Sequence, residues 1–205
     1  MGAEAGIEGA EFDGAHLFGG TPPAVDEFAG AEASNLTFAL NFASGDLGQN
    51  QRRWIVSPYY SQAFDGASSE NRGVISTDNP GGYFEWRELG VRVEHEMAIN
   101  DTWSWTSGLR WARIDHEANL ADESGNFLIK EMDGRRIGLS LGVNAAITDN
   151  IAAVSRLGYS WVDLDETAEC TGPSADACTP SPAASADDTT ELDGFDFGLS
   201  LRYTF

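Results

Sequence analysis

The chain has 205 residues, enough for one domain, and no apolar run is long enough for a transmembrane helix. It carries 33 acidic and 12 basic residues, for a formal net charge of −21, with no Lys or Arg in residues 1–51 or 157–201. Nucleic acid is therefore not an expected partner, because phosphate binding needs a basic surface. The mean hydropathy of −0.29 does not exclude strands with one apolar face, because window averages hide them.

The first half of the chain alternates polar and apolar residues with the period of two that is typical of β-strands. The alternation is weak in residues 3–13 and clear in residues 35–42, and about 52–64 is aromatic with poorly distinguished faces. Pro58 cannot donate a backbone hydrogen bond, so we expect a bulge or a break in that third strand. Residues 3–13 hold Ala5, Ile7, Ala10 and Phe12 among the acidic residues Glu4, Glu8 and Glu11. The connections are predicted at 14–33, 45–48 and 65–82.

The second half continues the same alternation over four further strands. These are predicted at 89–99, 103–111, 137–147 and 156–161. Asn100-Asp101 and Thr148–Asn150 are predicted as tight turns between neighbouring strands. Two longer polar stretches are predicted as loops at about 116–129 and 165–190.

The last stretch, residues 195–205, has the cleanest alternation. Its apolar face holds Phe195, Phe197, Leu199, Leu201, Tyr203 and Phe205. The opposite face is small or charged, which suits a wall between lipid and water. This strand, with its terminal aromatic residue, resembles the closing strand of bacterial outer-membrane β-barrels, in which the last residue is read by the assembly machinery. The resemblance implies that Tyr203 and Phe205 form the assembly signal.

The eight predicted strands are joined alternately by long and short connections. This order resembles the family of small eight-stranded outer-membrane proteins, with long extracellular loops, short periplasmic turns and both termini in the periplasm. We therefore predict an all-β fold: a transmembrane, antiparallel, up-and-down β-barrel formed by residues 1–205 as a single domain. A soluble sandwich or lipocalin-like barrel is the alternative, and it would turn its apolar faces inward.

The resemblance also implies a location and partners. These are the bacterial outer membrane, its lipid and lipopolysaccharide, and the outer-membrane assembly machinery, with an extracellular ligand unknown. The start of the chain, Met1-Gly-Ala-Glu, lacks the basic and apolar segments of a signal peptide, so we expect the mature form.

If the apolar faces meet lipid, the opposite faces line the lumen of the barrel. Charges buried there must be paired and hydrogen-bonded, because an isolated ion in a low-dielectric interior is costly. We predict a lumen charge network of Arg92, Glu94, Glu96, Arg110, Arg156, Asp196 and Arg202. The favoured interpretation is a plug of Arg–carboxylate pairs, since an eight-stranded barrel is about filled by its own side chains. A narrow ion path through the same charges is the alternative.

Two further clusters lie in the last predicted loop. Cys170 and Cys178 lie in a polar stretch with Pro and Gly, which favours a loop disulfide formed in an oxidising compartment. The acidic residues Asp165, Glu166, Asp187 and Asp188 are a weak candidate site for Ca²⁺ or Mg²⁺. No EF-hand spacing accompanies them, and a solvated acidic surface is the alternative. No other cofactor is expected.

No catalytic pattern accompanies these features. Asp115-His116-Glu117 could form an acid–base pair, but no serine-hydrolase motif accompanies it, and His95 is expected at a membrane interface or bulge. We therefore expect a structural or surface-interaction role and not an enzyme. A small porin, or a channel or carrier for small or apolar solutes, is the alternative. A lipid-A-modifying enzyme is less favoured.

Overall fold

The computed structural model is a closed barrel of eight antiparallel β-strands in chain order, with β8 paired to β1. The predicted fold class is confirmed. The strands are β1 (Gly2–Phe18), β2 (Ala24–Ala43), β3 (Arg52–Ala63), β4 (Tyr83–Ala98), β5 (Trp103–Ala121), β6 (Phe127–Ala146), β7 (Ile151–Thr171) and β8 (Thr189–Thr204).

The structure describes residues 1–18, 24–45, 47, 52–63, 83–121, 127–171 and 189–205, with the backbone alone at 12–18, 24–34, 83–86, 116–121, 127–130, 166–171 and 190. Within these ranges, no helix is long and apolar enough to cross a membrane. The short connections 99–102 and 147–150, the end of β2 and the start of β3 lie at one end of the barrel together with both termini, and we name this the turn end. The opposite end is the loop end.

The strands extend beyond their predicted limits at the loop end. β1 and β2 occupy most of the predicted loop 14–33. β5 and β6 likewise occupy most of the predicted loop 116–129, and β7 continues to Thr171 inside the predicted loop 165–190. These three loop predictions were wrong in their bounds, because backbone pairing between the strands continues through residues that show no apolar alternation in the sequence.

Around the turn-end half of the barrel, the outward side chains form a continuous apolar belt. On β5 the belt runs from Trp103 to Trp111, which matches the roughly 9–11 residues of a tilted membrane-spanning strand. Proteins in water rarely expose an apolar surface of this extent, so the belt faces lipid. Its large exposed residues on the last four strands are Trp103, Trp105, Leu109, Trp111, Ile137, Leu139, Leu141, Val143, Ile151, Leu157, Trp161, Phe195, Phe197, Leu199, Leu201 and Tyr203.

Towards the loop end, the two faces exchange character. Outward positions become charged just beyond the belt: Arg113 follows Trp111, and Arg135 precedes Ile137. Inward positions become apolar, and their side chains pack into one buried cluster that we name the apolar cap. It consists of Ala10, Ile114, Met132, Val162, Leu164 and Leu192. The part of the barrel above the belt is therefore built like a water-soluble barrel with an apolar interior.

Two irregularities interrupt the strand pairing. The β2–β3 ladder is complete at Ala39–Tyr59 and at Phe42–Val56 but lacks the two pairs between them. Pro58 lies in this gap opposite Leu40 and has no N–H for its carbonyl, so the predicted break is present without a change of register. In β1 the register to β2 shifts between Phe12 and Gly14, an irregularity that the sequence analysis did not predict.

The faces of β1, which the weak alternation left unassigned, are distinct in the structure. Ile7 points outward, whereas Ala10 is buried in the lumen together with Glu4 and Glu8.

Candidate functional site

Between the turn end and the apolar cap, the lumen contains a network of charged side chains from seven strands. We name this the lumen network. It consists of six arginines and six carboxylates: Arg53, Arg92, Arg110, Arg136, Arg156 and Arg202, with Glu4, Glu8, Glu88, Glu94, Glu96 and Asp196. All except Arg53 are almost completely buried. The formal charges inside cancel, so the net charge of −21 is carried outside the network.

Glu4 is the centre of the layer nearer the turn end. Arg156 donates to Glu4 at 2.6 Å and to Glu94 at 2.6 Å, bridging β1 and β4 across the lumen. Arg202 bonds to the same two carboxylates at 3.1 and 3.3 Å. Arg92 donates to Glu4 at 3.0 Å. One carboxylate thus accepts from three arginines of three different strands.

Glu96 closes this layer at the turn end. Its carboxylate accepts hydrogen bonds from the Ser104 hydroxyl at 2.5 Å and the Asn144 amide at 2.7 Å. The Arg53 Nε donates to it at 2.7 Å, and Arg202 lies 3.6 Å away. These donors and the neighbouring positive charges compensate the burial of the carboxylate.

A second layer lies closer to the apolar cap. Arg136 donates to Glu88 at 2.6 Å and to Asp196 at 2.8 Å, joining β6 to β4 and β8. Arg110 of β5 forms a two-point hydrogen-bonded ion pair with Glu8 of β1. Two-point Arg–carboxylate pairs fix geometry as well as charge, so this layer is held rigidly across the lumen.

Tyr59 lies between the two layers. The guanidinium groups of Arg92 and Arg110 lie over its ring, 5.4 and 5.5 Å from the centroid, within the range of a cation–π contact. The Tyr59 hydroxyl donates to Glu88 at 3.0 Å. Gly90 leaves room for the ring, because a Cβ at that position would lie 2.7 Å from it.

Little space remains inside the network. A cavity of about 10 Å³, lined by Glu4, Glu8, Arg92, Arg110 and Asp196 among others, lies between the layers. This is about the volume that one water molecule requires. The Arg92 Nε is buried without a protein partner and could bond to such a water. Along its described length, this part of the lumen is filled by side chains.

The structure places all seven predicted network residues inside the barrel, but the prediction omitted five members. Arg136 and Glu88 share the parity of the predicted inward residues and lie just before the predicted starts of their strands. Glu4 and Glu8 lie on the weakly alternating first strand, and Arg53 precedes the aromatic run of the third. In each case, the residue would have been found by continuing the alternation of inward and outward positions beyond the apolar part of the strand.

The other predicted sites lie elsewhere. His95 points outward at the turn end, with its ring centroid 4.9 Å from that of Trp54. Asp115 is exposed on the outer face of β5, and the side chain of His116 is not described. Tyr203 and Phe205 are exposed at the turn end, where their rings meet edge to face at 5.2 Å.

The predicted disulfide and cation site fall largely outside the described side chains. No disulfide is present among the described residues, and Cys178 lies outside them, so the Cys170–Cys178 pairing stays a prediction. Asp165 is exposed on the outer face of β7, but nothing is described of the side chains of Glu166, Asp187 and Asp188. Among the described residues, no group of His, Cys, Asp and Glu could hold a metal ion.

Comparison with known proteins bears on the fold. No protein-family model and no curated protein matches the chain. Among solved structures, the chain is similar to the outer membrane protease OmpT of Escherichia coli, with 8% identity, a TM-score of 0.52, and coverage of 100% of this chain and 97% of that one. It is also similar to Neisserial surface protein A, with 10% identity, a TM-score of 0.48, and coverage of 99% and 97%. The attachment invasion locus protein Ail of Yersinia pestis matches with 13% identity, a TM-score of 0.39, and coverage of 99% and 100%.

At 8% identity, the likeness to the outer membrane protease OmpT concerns the fold alone. That likeness agrees with the closed barrel of this chain and with its apolar belt. The chain therefore has the fold of the bacterial outer-membrane β-barrels.

Proposed function

We propose that the protein is a non-conducting outer-membrane barrel with a structural or surface-interaction role, and that it is not an enzyme. The observation that carries this proposal is the filled lumen. Along the part of the lumen that the structure describes, six arginines and six carboxylates interlock around a cavity of about 10 Å³. An ion could pass only by breaking several buried ion pairs, and each broken pair leaves an uncompensated charge in a dry interior.

The apolar cap supports the same proposal. It lies in series with the lumen network, between the network and the loop end, and its buried residues include Ile114, Val162 and Leu164. These side chains offer no polar group to replace the hydration shell of an ion. An ion that crossed the network would then meet an interior in which bare charge is strongly disfavoured.

The surface role is supported by the part of the barrel above the belt. Its outward side chains are charged and exposed, including Arg113, Asp133 and Arg135. Because the apolar interior supports the strands there, this surface would be displayed rigidly above the lipid. Which molecule it contacts, and whether Ca²⁺ or Mg²⁺ takes part, stay predictions from the acidic composition.

Single-channel recording in a planar bilayer tests the proposal. We expect no regular conductance steps from the folded protein, with folding checked by the heat-dependent shift of barrels on a detergent gel. The double variant Arg156→Ser, Ile114→Gly removes bulk from both barriers and should produce measurable steps, while Arg135→Ser on the outer face should remain silent. Regular steps from the unaltered protein would overturn the proposal and favour the small channel.

A further inference from the structure

A second polar concavity lies outside the lumen, on the rim of the turn end. We name it the rim pocket. It is lined by Ser44, Arg52, Arg53, Trp54 and His95 and has a volume of about 570 Å³. It lies where β3 begins, beside the last residues of β4, with Arg53 opposite Glu96 and Trp54 opposite His95 in the strand pairing.

The described side chains that line this pocket include two cations and several hydrogen-bond donors. Arg52 is exposed, and no described carboxylate contacts it. Arg53 donates through Nε to Glu96 at 2.7 Å, which holds its guanidinium in place at the pocket wall. The Ser44 Oγ accepts the backbone N–H of Trp54 at 3.0 Å. Among the described residues, no carboxylate lines the pocket.

The pocket also lies at a defined depth. Trp54 belongs to the outward face and is 56% exposed, and its ring packs against His95. Tryptophan is enriched where a membrane protein crosses from hydrocarbon to the headgroup layer. Arg52 lies one outward position closer to the turn end than Trp54, at the edge of the apolar belt. The charged lining therefore lies at the level of lipid headgroups.

We propose that the rim pocket binds the phosphate of an anionic phospholipid in the leaflet at the turn end. Guanidinium groups match phosphate oxygens in two-point hydrogen bonds, and basic pockets at a membrane edge bind lipid headgroups. The Trp54 ring contacts the glycerol and upper acyl chains below the phosphate. This proposal does not depend on whether the lumen conducts.

The opposite edge of the belt provides a contrast. Arg113 lies 3.6 Å from Asp133, and Arg135 donates to Asp163 at 2.9 Å. These arginines are compensated by neighbouring carboxylates, whereas Arg52 has none among the described residues. Arg113 therefore serves as a matched control, being an exposed arginine at the other edge of the same belt.

The test is native mass spectrometry of the delipidated protein in a neutral detergent, titrated with short-chain phosphatidylglycerol or with phosphatidylcholine of the same chain length. We expect preferential binding of phosphatidylglycerol, with the Arg52→Gln variant weakened about fivefold, the effect of one basic residue near an anionic lipid surface. Arg52→Lys should weaken binding less than Arg52→Gln, because it keeps the positive charge but loses the two-point hydrogen bonds, and Arg113→Gln should bind like the unaltered protein.

Inorganic phosphate, added alone in a third arm, separates a lipid site from a site for free anions. We expect it not to displace phosphatidylglycerol at equal concentration. Equal binding of the two lipids, unchanged binding by Arg52→Gln, or displacement by inorganic phosphate would each overturn the proposal. All variants should first show the same heat-dependent gel shift, since Arg52 is exposed and lies outside the lumen network.

Discussion

Two adjacent arginines on β6 show how much the direction of a side chain decides. Arg135 points outward, is 65% exposed and pairs with Asp163. Arg136 points inward, is 1% exposed and contacts Glu88, Asp196 and Glu8. An exposed ion pair is screened by water and contributes little, whereas removing one partner of a buried pair leaves the other charge uncompensated. The same residue type therefore contributes very differently to the free energy of unfolding at neighbouring positions.

The first prediction compares these two positions directly. Replacing Arg136 by Met should lower the free energy of unfolding by about 3–5 kcal/mol, because three carboxylates lose a buried cation. Replacing Arg135 by Met should change it by at most about 1 kcal/mol. Urea unfolding from phospholipid vesicles, followed by Trp fluorescence, measures both. Similar losses for the two variants would mean that the lumen network is hydrated and contributes little.

At the scale of a strand, Pro58 is a local defect that the barrel tolerates. β3 keeps its register on both sides of it, with Pro58 opposite Val91 in β4 and the β2 ladder resuming at Val56. The cost is a missing donor opposite Leu40 in a wall that faces lipid. A backbone group without a partner is more costly there than in water, because lipid offers no replacement.

Pro58→Val should therefore stabilise the barrel. The restored N–H should add about 1 kcal/mol to the free energy of unfolding, net of the greater freedom of the unfolded chain. Pro58→Ala should do the same, which separates the donor from the new side chain. Hydrogen exchange of the β2 amides near Leu40 should slow in both variants. A loss of stability in both would show that the proline ring itself supports the wall.

The strands also show which part of the fold the sequence could predict. Wherever a strand borders lipid, as at Leu139 and Leu141, large apolar and small polar residues alternate, and both strand and direction follow from parity. Beyond the belt the apolar residues lie on the inward face and the charged residues on the outward face. Ile114 and Leu164 therefore point inward, while Arg113 and Asp163 point outward. A prediction that expects apolar residues on the outward face throughout therefore assigns these outer strand segments to polar loops.

At the scale of the whole molecule, this exchange of faces locates the membrane. On β6 the outward residues are apolar at 143, 141, 139 and 137 and charged at 135, 133 and 131. The lipid boundary should therefore cross β6 between Ile137 and Arg135. Above it, the described inward side chains form the apolar cap.

Spin labels at positions 143, 139, 135 and 131 test this boundary, in a variant with Cys170 and Cys178 changed to Ser. In vesicles, labels at 143 and 139 should be accessible to oxygen and protected from a water-soluble nickel reagent. Labels at 135 and 131 should show the reverse. Oxygen-type accessibility at 131 would place the outer strand segments inside the membrane and contradict their assignment as a displayed surface.

The lumen network was only partly predictable, for a reason that belongs to the whole barrel. The inward positions of Arg92, Arg110, Arg156 and Arg202 followed from parity within their own strands. Parity also placed Glu94, Glu96 and Asp196 inside as candidate partners. It did not predict which arginine each one meets, because Glu4 and Glu94 contact Arg156 across the barrel and not in a paired row. Period two assigns a side chain to a face but says nothing of which distant strand it meets.

The place of Glu4 and Glu8 on β1 has a consequence for how the barrel forms. These two residues contact Arg92, Arg110, Arg136, Arg156 and Arg202. A sheet of β2 to β8 alone would enclose six arginines with four carboxylates, and so would carry an excess positive charge in its interior. That excess disappears only when β1 pairs with β8. Closure of the sheet and neutralisation of its interior are thus one event, which disfavours half-closed intermediates and makes assembly of this barrel cooperative.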